Sequence, residues 1–172
     1  WVETIAPKVE RCYSRLSGDR ECTEIAYRSQ IAGTTMKDLL NERRAKDTVL
    51  GYTSAGIHRD DIEAKLDGYS LRRLGSQGQV KTFTVALRLA IFDYLKETKG
   101  ATPLLLLDDI FDKLDASRVE SIMREVTTSD TFGQIFITDT NRKHLDDIIA
   151  GMQGPRSMLN VADGNFSPLT CI

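Results

Sequence analysis

Four consecutive leucines followed by two aspartates are the feature of this sequence that most limits its fold. Leu104 to Leu107 follow Pro103 and precede Asp108 and Asp109. This apolar run predicts a strand buried on both faces, as in a parallel sheet, which ends at the rim where open α/β folds bind ligands. Two acids at such a rim lose solvation and repel each other, which favours a nearby metal ion or cation. A buried strand that ends in two solvated acids is an equally simple reading.

The composition indicates an ordinary globular domain. The chain has 172 residues, 41% of them hydrophobic, and its 23 basic and 25 acidic residues give a net charge of −2. Any contact with nucleic acid must therefore come from a local patch. Cys12, Cys22 and Cys171 lack metal-binding spacing and are typical of reduced thiols, which predicts a cytoplasmic location. The helical pattern is already under way at Trp1, so we expect a fragment of a longer protein.

The sequence before the leucines predicts mixed secondary structure. Thr35 followed by Asp38 resembles a capping box, and Asp67-Gly68 is typical of a type I′ hairpin turn. We predict a helix over residues 2–16, a strand over Cys22–Ser29, a helix over Met36–Lys46, and a hairpin that pairs Ile62–Leu66 with Tyr69–Leu74.

A glycine-rich turn then leads into a long amphipathic helix. The turn is Leu74-Gly75-Ser76-Gln77-Gly78-Gln79, and the helix is predicted to run to about Lys96 with Phe83, Ala86, Leu87, Ala90, Ile91 and Tyr94 on its buried face. Ser76 and Gln79 have the spacing of a capping box. The same turn, with its free N–H groups at a helix start, also suits an anion. Both interpretations stay open at this point.

The sequence after the leucines alternates between helix and strand, which predicts short crossovers and a parallel sheet. Asp115 is the expected N-cap of the next helix, whose Val119, Ile122, Met123 and Val126 point inward. We predict a second buried strand over Gln134–Thr138, a helix capped by Thr140, a third strand over Ser157–Val161, and a turn at Asp163-Gly164-Asn165.

The order of these motifs resembles the C-terminal half of an ATP-binding-cassette ATPase head, with the leucine run and Asp108 as its Walker B strand. Within that superfamily it resembles the RecF family of bacterial recombination and gap-repair proteins. Gly56-Ile57-His58-Arg59-Asp60-Asp61 resembles that family's Gly-Pro-His-Arg-Asp-Asp element, and Ser76-Gln77-Gly78-Gln79 with Lys81-Thr82 resembles its signature loop. The Asp-Asp ending, where most cassette ATPases have Asp-Glu, is also typical of the family.

The resemblance implies a fold class and a division of the chain. The fold would be α/β: the C-terminal part of a P-loop ATPase head with a mostly parallel sheet and flanking helices, plus part of a helical second lobe. Residues 1–46 would belong to the second, DNA-proximal lobe. Residues 47–172 would form the C-terminal half of the head, with the signature loop, Walker B strand and D-loop.

The resemblance also implies roles for individual residues. Ser76, Gln77, Gly78 and Gln79 would contact the γ-phosphate of ATP on the opposite subunit, Asp108 would coordinate Mg²⁺ through water, Asp109 would orient the attacking water, and Asp115 would lie in the D-loop at the dimer interface. Thr138-Asp139 would occupy the switch region; many relatives carry histidine there, so we assign no phosphate sensor. No G-x-x-x-x-G-K-[ST] motif occurs. We therefore expect half of a split site, inactive by itself.

By the same resemblance, the intact protein would be an ATP-dependent, dimerising DNA-binding protein with weak, DNA-dependent ATPase activity, which acts in DNA repair, replication restart, recombination and the SOS response. Its partners would be gapped or junction DNA and the RecR and RecO mediators. Basic runs at Arg43-Arg44-Lys46 and Arg72-Arg73 fit either a phosphate-backbone patch or solvated faces, so DNA-contacting residues stay unassigned.

Two other classes of function are weighed against this one. A DNA- or partner-interaction module that works without nucleotide fits the missing phosphate loop. Asp108-Asp109-Ile110-Phe111-Asp112 also spells the D-D-x-x-D of isoprenoid synthases. Those enzymes carry this motif on a helix, whereas four preceding leucines favour a strand. His58 and His144, the two histidines, make a metal site improbable.

Overall fold

The structure, a computed structural model, describes residues 1–31, 33–111, 114–128, 131–140, 146 and 155–169. They divide into two units, Trp1–Thr138 and Asp139–Ile172. The first unit contains α1 (Val2–Ser17), β1 (Thr23–Arg28), α2 (Met36–Leu50), β2 (Asp61–Leu66), β3 (Tyr69–Ser70), α3 (Leu71–Leu74), α4 (Gln77–Lys99), β4 (Leu105–Asp108), α5 (Ala116–Thr128) and β5 (Ile135–Thr138). The second contains β6 (Met158–Ala162) and β7 (Asn165–Leu169). Within the described ranges, no helix has both the length and the apolarity needed to cross a membrane.

The core of the first unit forms where α1 packs against α4 and α5. The helical spacing of the apolar residues in α1 is confirmed, and it buries Ile5, Val9, Cys12, Tyr13 and Leu16. The Tyr13 ring lies 6.2 Å from the Phe83 ring of α4. Ion pairs support both contacts: Lys8–Glu97 at 2.5 Å to α4 and Arg15–Glu125 at 3.1 Å to α5.

Helix α4 is longer than predicted, and its buried face matches the predicted one only in part. It ends at Lys99, because Gly100 adopts a left-handed conformation with φ 66°. Of the six predicted inward residues, Phe83, Ala86 and Ala90 are buried, whereas Leu87, Ile91 and Tyr94 are half-buried. Four residues outside the prediction are also buried: Thr82, Val85, Leu89 and Phe92. This wider apolar face positions the helix, and with it the glycine-rich turn at its start.

The hairpin of β2 and β3 is confirmed at its turn but is shorter than predicted. Asp67 and Gly68 have φ angles of 48° and 80°, as a type I′ turn requires. Strand β3 stops at Ser70, so the prediction of a strand to Leu74 is wrong. Leu71 instead enters the core and starts the short helix α3, and its carbonyl accepts a hydrogen bond from the Gly75 N–H at 3.0 Å. This change of direction leads the chain into the turn before α4.

Strands β4 and β5 pair in parallel, with Leu105 opposite Ile135 and Asp108 opposite Thr138. The predicted burial of the leucine run on both faces is wrong. Leu105 and Leu107 are buried, whereas Leu106 is 63% exposed. Packing within the described residues covers one face of this strand pair and leaves the other open.

The third predicted strand exists as β6, but its partner is β7, in an antiparallel pair. Asp163 and Gly164 both have positive φ angles, 50° and 74°, and so close a tight hairpin between these strands. The sequence predicts that this strand joins the parallel sheet, but the structure pairs it antiparallel with β7. The helix predicted after Thr140 lies outside the described residues.

Candidate functional site

The turn that starts α4 is a reciprocal capping box, as predicted. The Ser76 Oγ accepts a hydrogen bond from the Gln79 N–H at 3.1 Å, and the Ser76 N–H donates to the Gln79 Oε1 at 2.7 Å. Ser76 Oγ acts there as an acceptor, so its own proton remains available for donation. The N–H groups of Gln77 and Gly78 lie in the first helical turn, where no intrahelical acceptor exists. Since Ser76 and Gln77 are exposed, the turn presents several donors to an anion from outside.

Both glycines of this turn lie close to neighbouring groups, Gly75 to backbone and Gly78 to a side chain. A Cβ built on Gly75 would lie 2.5 Å from the Leu71 carbonyl oxygen. A Cβ on Gly78 would lie 1.9 Å from Nη1 of Arg118, a residue of α5. The guanidinium of Arg118 therefore rests directly against the backbone of the turn.

A carboxylate from outside the turn holds Gln79. The Gln79 Nε2 donates to the Glu21 Oε1, and the Tyr13 hydroxyl donates to the Glu21 Oε2. Burial and the adjacent Glu21 carboxylate raise the pKa of Tyr13 well above its usual range, so its hydroxyl stays protonated and donating. Sequence reasoning missed Glu21, because it lies 58 positions from Gln79 and no local pattern connects them.

The two acids that follow the leucines stand at the exposed end of β4. The Thr138 hydroxyl of β5 donates to the Asp108 Oδ1, and the Asp109 N–H donates to the Thr138 carbonyl at 3.2 Å. Asp109 has a φ of 46°, a left-handed conformation that is uncommon for a residue other than glycine. Such conformations concentrate at functional sites. Thr138, placed in the switch region by sequence, thus orients the carboxylate of Asp108.

Asp115 caps α5, as predicted. Its Oδ1 accepts hydrogen bonds from the Ser117 hydroxyl at 2.7 Å and from the Arg118 N–H at 3.0 Å. These bonds hold the pKa of Asp115 below its usual value. Its Oδ2 lies 3.6 Å from the Arg118 Nε, which turns the guanidinium toward Gly78. The preceding Asp112-Lys113 lies outside the described residues.

The oxygen ligands of the β4 end suit a hard cation. Asp108 supplies a carboxylate fixed by the Thr138 hydroxyl, and Mg²⁺ typically takes one or two carboxylates together with phosphate oxygens and water. In the described part of the chain, no three His, Cys, Asp or Glu side chains form a metal cluster. The His58 Nε2 is 3.2 Å from the Thr53 carbonyl, within a hydrogen-bonded loop.

The predicted site residues occupy two places in the first unit. Ser76, Gln77, Gly78 and Gln79 form the turn against which Asp115 holds Arg118, and Asp108 and Asp109 form the strand end with Thr138. We call the first place the signature turn, defined as residues 75–79.

Comparison with known proteins identifies the family resemblance. No family model matches the chain. It is 48% identical over 168 residues to the DNA replication and repair protein RecF of Parabacteroides distasonis, and 46% identical over 169 residues to RecF of Bacteroides fragilis strain YCH46. Each match covers 98% of this chain. The chain is RecF-like. It spans about half the length of these curated relatives, 46% and 45% respectively.

Solved structures give the same result for this RecF-like chain. The recombination mediator protein RecF with ATPrS, described within the RecFOR pathway, covers 98% of it with a TM-score of 0.71 at 26% identity; the match spans 44% of that protein. An SMC ATPase from work on ATP-driven dimerization and DNA-stimulated activation covers 98% with a TM-score of 0.57 at 17% identity, across 85% of that chain. The second match shows the fold alone. The expected α/β ATPase-head fold and the expected RecF resemblance are therefore confirmed.

Proposed function

We propose that this chain forms part of an ATP-dependent, DNA-binding ATPase of replication and repair, and that its signature turn closes on ATP bound by a second copy. The observation that carries the proposal is the signature turn itself, an exposed set of hydrogen-bond donors fixed by a complete capping box. The similarity to RecF over 98% of the chain supports it, as does a solved RecF structure with ATP.

The signature turn recognises a phosphate by donation. The Ser76 hydroxyl, the Gln77 carboxamide and the N–H groups of Gln77 and Gly78 contact the γ-phosphate of the partner's ATP. The positive end of the α4 dipole adds to this attraction. The resemblance implies a phosphate contact for Gln79 as well. Its carboxamide is instead engaged at both ends, by the Ser76 N–H and by Glu21, so we assign Gln79 the role of keeping the turn in shape.

The β4 end acts on nucleotide held by its own subunit. Asp108, oriented by Thr138, would hold Mg²⁺ through water, and a bound ion would supply positive charge against the phosphates. Asp109 positions the attacking water with its carboxylate. Asp115 lies where the two copies meet, and the contact of Arg118 with Gly78 connects its helix to the signature turn.

The wider role follows from the resemblance. The intact protein forms ATP-dependent homodimers on gapped or junction DNA in the cytoplasm and acts with RecR and RecO in recombinational gap repair and replication restart, including the SOS response. The description of RecF as a recombination mediator within the RecFOR pathway supports this placement.

Ser76→Asp in the intact protein tests the proposal. Aspartate is an equally good N-cap, so the fold and the cis binding of ATP should survive. A carboxylate about 4 Å from a phosphate charge, at an effective dielectric near 20, is repelled by roughly 4 kcal/mol, close to a thousandfold in affinity. ATP-dependent dimerisation and hydrolysis should disappear. Calorimetric ATP binding and sedimentation with and without ATP measure both effects.

Thr35→Asn is the control for changing a helix cap away from the signature turn. Thr35 caps α2 by accepting from the Asp38 N–H and donates to the Asp38 carboxylate, and asparagine keeps both an acceptor and a donor at this position. It should leave ATP-driven dimers intact. Normal dimers in well-folded Ser76→Asp protein would reduce Ser76 to a helix cap. They would favour a DNA- or partner-interaction module that works without nucleotide.

A further inference from the structure

Glu21 lies outside the signature turn, in the segment between α1 and β1, yet it determines how the turn is held. The Gln79 carboxamide uses both of its ends: Oε1 accepts from the Ser76 N–H, and Nε2 donates to Glu21. The second Glu21 oxygen is fixed by the hydroxyl of buried Tyr13, which packs on Phe83 of α4. Two donors thus converge on one carboxylate, and Glu21 binds the end of the Gln79 carboxamide that the capping box leaves unused.

The contact with Glu21 distinguishes glutamine from glutamate at position 79. Within the capping box alone, glutamate would serve equally well, and its charge would suit the start of the helix. Glutamate has no N–H to offer Glu21, however, and would place a second carboxylate against the first. Only the amide can accept from the Ser76 N–H and donate to Glu21 at the same time.

We propose that Glu21 is a positioning residue of the signature turn: by holding the Gln79 carboxamide it keeps Ser76 in the orientation that engages the partner's ATP. The inference rests on the proposed function, in which the Ser76 hydroxyl meets the γ-phosphate. It assigns to residues 1–31 a part in ATP-dependent dimerisation that the signature motif does not include. Glu21 itself touches no nucleotide.

A double-mutant cycle in the intact protein tests the proposal. Gln79→Glu places a second carboxylate against that of Glu21. Because the two repel each other, the change should weaken ATP-dependent dimerisation about tenfold or more. Glu21→Gln together with Gln79→Glu exchanges donor and acceptor: the new amide donates to the new carboxylate, which still accepts from the Ser76 N–H. In the Glu21→Gln background the change at 79 should therefore cost less than about threefold. Sedimentation with ATP measures dimerisation, while calorimetric ATP affinity and urea unfolding monitor the cis site and the fold.

Glu24→Gln is the matched control, because Glu24 is an exposed carboxylate on the nearby strand β1 and should leave dimerisation unchanged. Three results would overturn the inference: normal dimerisation of Gln79→Glu, an equal defect in both backgrounds, or a loss of folding stability while the folded protein dimerises normally. A dimerisation defect that persists in the double variant although folding stability is restored would also overturn the inference, because the contact between residues 21 and 79 would then exist without controlling dimerisation. The Ser76→Asp experiment tests the proposed function separately: normal ATP-driven dimers of that variant would show that the proposed function is wrong.

Discussion

At the scale of single residues, Asp109 combines an exposed carboxylate at the end of β4 with an uncommon backbone conformation. Its φ of 46° is accessible to aspartate and asparagine at modest cost, so Asp109→Asn should keep the end of β4 intact. The substitution removes the charge that, in the proposed function, orients the attacking water. We expect ATP hydrolysis by the intact protein to fall about tenfold or more, while ATP-bound dimers persist longer. Turnover assays and sedimentation of preformed dimers measure the two effects.

The control for this substitution is Asp163→Asn, since Asp163 has a similar φ of 50° but lies in the β6–β7 turn. It should hydrolyse ATP at the normal rate. Unchanged turnover in Asp109→Asn would show that another group orients the water.

Gly75 and Gly78 should respond differently to alanine although both lie in the signature turn. The Cβ of Gly75→Ala meets the fixed Leu71 carbonyl, so we expect a loss of roughly 1–3 kcal/mol in unfolding free energy. The Cβ of Gly78→Ala meets only the mobile tip of Arg118, and alanine favours helix, so the change should stay within about 1 kcal/mol. Urea unfolding measures both, and equal losses would contradict the assigned contacts.

Prediction from sequence at this scale succeeded where the interaction is local. Ser76 and Gln79 are three positions apart, so the capping box can be read directly, as can the cap of α5 by Asp115. Glu21 and Arg118 reach the same turn only after α1 and α5 have packed beside α4. No periodicity in the sequence specifies those contacts.

At the scale of elements, the end of β1 is fastened to the start of β2 through Asp60. This carboxylate accepts hydrogen bonds from the Tyr27 hydroxyl, the Ser29 hydroxyl at 3.0 Å and the Gln30 N–H at 3.3 Å. The Tyr27 bond, followed by the other two, lowers the pKa of Asp60. These bonds fix Asp60, the residue that directly follows the exposed turn Ile57–Arg59.

The lowered pKa of Asp60 has a consequence for stability. Stabilisation by such a group is present above its unfolded-state pKa and is lost as pH falls through its folded-state pKa. Asp60→Asn should therefore be less stable than the unmodified protein near pH 7, with the difference narrowing toward about pH 3. Urea unfolding at both pH values measures this, with Glu24→Gln as control. A difference that stays constant with pH would contradict the assignment.

Secondary structure was predictable where turns or caps mark it, and less so where tertiary packing decides. The positive φ angles of Asp67 and Gly68 follow from the sequence, but the end of β3 at Ser70 does not, because burial of Leu71 imposes it. The sequence predicts that the leucine run is buried on both faces. Its composition cannot show that Leu106 lies on the open face of β4.

At the scale of the whole molecule, the open face of the β4–β5 pair is the largest departure from expectation. Leu106 is 63% exposed and its cross-strand neighbour Phe136 is 48% exposed. An apolar face of this kind promotes association. The 172-residue chain by itself should therefore self-associate at about 0.1 mM and bind an apolar dye. Leu106→Thr with Phe136→Thr, which keeps strand preference, should reduce both. Light scattering that shows a clean monomer without dye binding would contradict this.

The central claim is that the signature turn of one copy and the β4 end of another form a single ATP site. Mixing two variants of the intact protein, Ser76→Asp and Asp109→Asn, tests it most directly. Each homodimer carries a defect in both sites, whereas a mixed dimer has one site built from an unmodified Ser76 and an unmodified Asp109. A mixed dimer meets the repulsion of Ser76→Asp at only one of its two sites, so it forms at saturating ATP and protein where the Ser76→Asp homodimer does not, and sedimentation of the mixture measures its amount. The mixture should hydrolyse ATP faster than either variant alone, up to about a quarter of the normal rate. A mixture as inactive as its two components would show that both residues serve the same subunit, and would contradict the account.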